Sequence, residues 1–156
     1  MSTLQSFLKE ETLLLLQALK ENTAPKFGLM TPQHMVEHLI WVTKTTIGRR
    51  GEPEGEPTKS HVYFQKFIDN GAIFEYRPKE GTSKADLPAL KFGSLQEAIA
   101  QVGPAIDRFY KYCEEEPGAI AYNPIMGELT QDQLETFHAQ HYRWHLYQFG
   151  LIETFA

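Results

Sequence analysis

The chain has 156 residues, 42% hydrophobic and 22% charged, with one Cys and a formal net charge of −5. That length suits a single domain over 1–156, and 10 Phe, 7 Tyr and 2 Trp exclude a disordered chain. One Cys excludes an internal disulfide and Cys-rich metal sites. The absence of any long Lys/Arg run argues against nucleic acid, and the lack of about 18 consecutive apolar residues argues against a membrane span.

Lys9, Glu10 and Glu11 stand where a signal peptide would be apolar, so a cytoplasmic location is expected. Strong helix formers around Leu13–Leu16 and Leu19 predict a first helix over about Thr3–Glu21, interrupted by Pro25 and Gly28. A second starts at Thr31 as N-cap with Pro32 in the first helical position, shares Met35, Leu39 and Val42 on one face, and ends at Gly48. A third is expected over about Ser94–Glu116. Ser94 and Glu97 form a capping box there, the stripe is Leu95, Ile99, Val102, Ile106, Phe109 and Tyr110, and Gly103-Pro104 kinks the helix. Cys113 reads as a small buried hydrophobe near its end. The fourth runs over about Gln131–Phe149, from Thr130 as N-cap to Gly150 just past its end.

Between the second and third helices lie some forty residues, Gly51–Gly93. They hold the aromatics Tyr63, Phe64, Phe67, Phe74 and Tyr76 and a short helix near Ser60–Asp69. Four helical signals with one long connection predict an all-α four-helix bundle with a crossover between helices 2 and 3.

Five of the six histidines fall on two helices: His34 and His38 on the second, His138, His141 and His145 on the fourth. At about 100° per residue the latter three span roughly 60°. They share the apolar stripe of Leu134, Phe137, Tyr142, Leu146 and Phe149, opposite Asp132, Gln133, Gln140 and Arg143. Inward imidazoles require partners, and a metal ion provides one. His141 and His145, four apart, can converge on one ion, and His38 on the facing helix is the third candidate ligand. Three imidazoles leave a position open for water or substrate.

Other patterns compete. His34 and His138, taken singly, read as core histidines bonded to local acceptors. The same explanation extended to all the histidines gives a non-enzymatic helical binding protein. His34-Met35-Val36-Glu37-His38 matches the inverted zinc-protease pattern H-x-x-E-H, but it leaves His141 and His145 unexplained. Glu135-x-x-His138 fits half of a di-iron motif without its second copy. Glu37 is a candidate base or partner to an imidazole, His61 reads as surface, and Tyr142, Trp144 and Tyr147 read as packing residues.

Two stretches carry a resemblance. Gly28-Leu29-Met30-Thr31-Pro32-Gln33-His34-Met35-Val36-Glu37-His38-Leu39 is similar to the second-helix signature of the DinB-like superfamily. So is the late segment Asn123–Thr130 followed by His141-Tyr142-Arg143-Trp144-His145-Leu146-Tyr147-Gln148-Phe149-Gly150. The likeness is to a subgroup of unknown function. It implies a four-helix bundle with the long crossover, frequent homodimers, and a divalent metal, zinc or nickel, on His38, His141 and His145. It places Gln148 at a position where many relatives carry Gln. It also implies a small-molecule substrate or low-molecular-weight thiol, such as bacillithiol or mycothiol, handled by a metal-dependent hydrolase or thiol S-transferase. His34 and His138 are departures from the pattern that leave the ligand set open to substitution.

Overall fold

A computed structural model describes residues 2–48, 57–70, 80–123 and 126–154. These are mostly helical. Three abutting segments, Thr3–Ser6, a π-helical turn Phe7–Glu11 and Thr12–Leu16, form α1. The helix stops five residues earlier than expected. The amides of Gln17, Ala18 and Leu19 bond to the carbonyls three residues back, which tightens and closes the last turn, although Leu19 still reaches the core. The second helix, α2 (Pro32–Gly48), has the expected bounds, with the His34 amide donating to Thr31 Oγ1 at 3.2 Å.

In the long connection α3 (Lys59–Asp69) forms behind a capping box made by Thr58 and His61. That box and an edge-on contact with Tyr122 give His61 a structural part. Tyr63, Phe64 and Phe67 contact one another along α3, whereas Phe74, Tyr76 and Arg49-Arg50 lie outside the described residues.

The expected third helix is two, α4 (Leu95–Ala100) and α5 (Val102–Glu115). Pro104 has no amide proton to offer the Ala100 carbonyl and its ring crowds that carbonyl, so the chain breaks at Gln101. The Ser94 cap forms, with Oγ accepting from the Glu97 amide at 3.1 Å. The Glu97 carboxylate reaches instead to the Gly93 amide at 2.9 Å, so the capping box is only half made. Cys113 is half-buried against the second core cluster.

The all-α expectation lacked a short antiparallel hairpin, β1 (Ala121–Asn123) with β2 (Gly127–Leu129), in the register Ala121↔Leu129 and Asn123↔Gly127. Asn123 Oδ1 accepts from the Met126 amide, tightening the turn, and Gln65 on α3 donates to the carbonyls of Met126 and Glu128. The final helix, α6 (Gln131–Gln148), starts at the Thr130 cap and ends in a Schellman motif. Gly150, at φ +71°, and Leu151 donate back to Tyr147 and Leu146.

The main core joins Leu8 and Leu16 of α1, Met35 and Leu39 of α2, Val102 and Ile106 of α5, and Tyr142 and Leu146 of α6. A second cluster joins Ile68, Phe109, Leu129 and Leu134 under α3 and the hairpin. Because α1, α2 and α3 all pack on α6, that helix is enclosed on most sides. Gln140, expected on an outer face, is therefore buried, and its side-chain amide donates to the Phe67 carbonyl of α3 at 2.9 Å. No helix among the described residues is long and apolar enough to cross a membrane.

Candidate metal centre

Where α2 crosses α6, three imidazoles face one another. His38 Nε2 stands 3.0 Å from His141 Nε2, and His145 Nε2 stands 3.1 Å from the same atom. All three donor atoms lie within 4.8 Å, and the three rings pair edge-on at centroid distances of 4.7–5.0 Å. Donors that share an ion at about 2.0–2.1 Å stand roughly 2.9–3.4 Å apart, so both separations fit a common ion.

The protonation of His145 follows from its neighbours. Gln148 is buried, and its amide nitrogen donates to the Phe27 carbonyl at 3.0 Å, which turns Oε1 toward His145 Nδ1 at 2.7 Å. An amide oxygen only accepts, so Nδ1 carries the proton and Nε2 presents a lone pair to the centre. The neighbouring turn is fitted to this amide. Gly28 sits at φ +84°, and a Cβ there would approach Gln148 Nε2 to 2.8 Å. The Lys26 amide also donates to the Gln148 carbonyl at 2.7 Å.

Hydrogen bonding alone does not satisfy this cluster. Whichever tautomer His141 adopts, either one facing nitrogen or its own Nδ1 lacks a partner, and Nδ1 is buried with none. Burial also disfavours the charged forms. It lowers His38, pushes His145 down to about 3 with the repulsion of His38 added, and pushes His141 well below the usual range, reinforced by His145, His38 and His138. Three neutral imidazoles with lone pairs turned inward form a donor set suited to a divalent cation.

The other candidate residues stand apart from this set. His138, 1% exposed, lies within 3.3 Å of Thr46 Oγ1 and meets the Phe109 ring edge-on. Its Nδ1 has no partner, and burial holds it neutral down to about pH 3. His34 uses both ring nitrogens elsewhere. Nε2 donates to the Pro88 carbonyl at 3.0 Å, so Nδ1 accepts the Thr31 hydroxyl at 2.6 Å. Glu37 turns to the same segment and accepts from the amides of Lys91 (2.6 Å) and Phe92 (3.3 Å) and from Gln33 Nε2 (2.9 Å). The structure therefore does not assemble the H-x-x-E-H pair around one point, nor does it aim Glu37 at the three-His group. Glu135 accepts the Tyr110 hydroxyl at 2.7 Å, away from any partner half of a di-iron motif.

Of the aromatics on α6, Trp144 is buried against Phe27 at 4.8 Å, and Tyr142 bonds through its hydroxyl to Thr43, which itself donates to the Leu39 carbonyl. The contact of Gly28 and Phe27 with Gln148 gives no local signal in the sequence, since about 120 positions separate the partners. A glycine just before a clear helix start is its only trace. No family model, curated protein or solved structure matches this chain.

Proposed function

We propose that the protein is a metal-binding member of the DinB-like superfamily: a four-helix bundle with one long crossover, holding zinc or nickel on His38, His141 and His145. When bound, such an ion supplies Lewis acidity that lowers the pKa of a coordinated water or thiol, the chemistry of a metal-dependent hydrolase or a thiol S-transferase. Gln148 keeps the His145 proton on Nδ1, and the α2–α6 contact holds the two other rings toward the same point. The observation that carries this reading is the convergence of three Nε2 atoms from helices 103 residues apart in sequence.

Elemental analysis of untagged protein tests it, together with calorimetric titration of zinc and nickel into the parent, His38→Ala and His141→Ala. About one ion per chain in the parent, lost from folded variants, is the expected result. A parent that takes up no metal would favour a helical binding protein whose histidines serve only as hydrogen-bonding partners, the role His34 already shows.

A further inference from the structure

Gln148 fixes the proton of one ring of the centre, whereas His141 meets no such amide. To offer Nε2 to an ion, a neutral His141 carries its proton on Nδ1, and that atom is buried with no partner among the described residues. Three residues earlier on α6 stands a second buried nitrogen in the same condition, Nδ1 of His138. Residues three apart on a helix are surface neighbours. The Phe137 ring borders both imidazoles, with centroids 5.5 Å from His138 and 5.7 Å from His141.

The polarity of His138 is set from its far side. Thr46 Oγ1 lies 3.0 Å from the Val42 carbonyl and 3.2 Å from the Thr43 carbonyl, and it donates its single proton to them. The hydroxyl therefore meets His138 Nε2, 3.3 Å away, as an acceptor, and Nε2 carries the His138 proton. The ring is buried between Phe109 and Phe137, where a second proton is disfavoured, so Nδ1 keeps a lone pair. An orphaned acceptor thus stands beside an orphaned donor. The opposite tautomer of His138 would set two donors against each other and leave both unmet.

We propose that His138 is a positioning residue for His141: through one bridging water its Nδ1 takes the hydrogen bond of His141 Nδ1–H, which keeps the His141 lone pair on Nε2, facing His38 and His145. Buried waters are held by polar groups short of a partner, and such a link is nearly as good as a direct bond. Every proton in the chain then points the same way, from His141 through water, His138 and Thr46 to the carbonyls of α2. The effect on an ion rests on the metal-binding reading above, but the tautomers belong to the metal-free chain as well.

Long-range ¹H–¹⁵N correlation on the metal-free full chain at about pH 7.5, above the ordinary histidine range, reads both rings. A proton on Nδ1 of His141 and on Nε2 of His138 is expected, with a rotating-frame contact between the His141 proton and water. In His138→Leu the acceptor is gone. His141 should then populate the Nε2-protonated form, and zinc affinity should fall about 10- to 100-fold, the usual cost of losing a ligand's outer partner. His138→Asn puts an oxygen near the place of Nδ1 and fills the space less well than Leu. It should nonetheless restore the His141 tautomer and bring zinc affinity back to within about threefold of the parent, which packing alone would not do. Thr46→Val, close to Thr in shape, should mix the His138 tautomers even where His138→Leu does not fold.

A metal-free parent with the His141 proton on Nε2 overturns this inference and leaves the metal-binding reading standing. So does a folded His138→Leu whose His141 tautomer and zinc affinity match the parent's. A parent with the expected tautomers that takes up no zinc overturns the metal-binding reading and leaves the His138–His141 link in place.

Discussion

His145 shows how one side chain can be set by another. Gln148 points its oxygen at Nδ1 because its nitrogen is already used by the Phe27 carbonyl. Gln148→Leu removes both bonds and leaves a buried donor and a partly buried acceptor unmet. Metal affinity should fall roughly 10- to 100-fold, with a loss of about 1–3 kcal/mol in the metal-free protein. Calorimetric titration and urea denaturation read the two effects separately. Gly28→Ala should act in the same direction through strain at positive φ and the clash with Gln148, by about 1 kcal/mol or more. His138 makes a different prediction. Its folded form is neutral down to about pH 3, whereas in the unfolded chain it takes a proton near 6.5. The unfolded state thus binds the proton first as pH falls. Stability of the metal-free protein should be full above pH 6.5 and decline steadily toward pH 3. Urea midpoints at pH 7.5 and 5.0 check this, and a folded His138→Gln variant should show a shallower decline.

At the scale of the helix, α6 and the first turns of α2 carry the consequences. Thr130 caps α6 through the Gln133 amide, in a capping box completed by the Gln133 side chain. Thr130→Ala should cost about 1 kcal/mol in denaturant unfolding without changing which residues hold the metal. The first two turns of α2 act as a clamp, with Gln33, His34 and Glu37 gripping segment 88–92 by four hydrogen bonds, and Gln33 also donating to Glu37. Glu37→Ala and His34→Ala should raise amide exchange over 88–93 while changing metal affinity by less than about threefold. A loss of metal in His34→Ala would instead revive the H-x-x-E-H pattern. This clamp could not be read from the sequence, because Glu37 beside a histidine looks like a base until its backbone partners some 54 positions away are known. The caps at Thr31, Ser94 and Thr130 could be read, because each is a contact within four residues. The hairpin could not: three-residue strands carry too little alternation to register, and their pairing depends on α3 covering them.

At the scale of the whole molecule, a bound ion should couple the α2–α6 contact to global stability. Free metal at about 100 times Kd adds roughly 2.7 kcal/mol, a rise in Tm on the order of 5–10 °C for a chain of this size. Calorimetric scans before and after a chelator measure it. Because burial already holds the three histidines neutral below their usual range, the gain should persist through about pH 6 and shrink only at lower pH, where the rings at last take up protons. The sequence alone determined the long helices, most of their ends, and the fact that too many imidazoles sat on buried faces. Those are properties of local bonding and of a 3.6-residue period. Only the tertiary structure decided which imidazoles meet, and why His34 and His138 do not. It also decided that Gln140 lies beneath α3 and that Glu37 holds a strap. Each of these depends on which distant backbone groups come within about 3 Å, a distance set by the packing of whole helices and by no pattern within one of them.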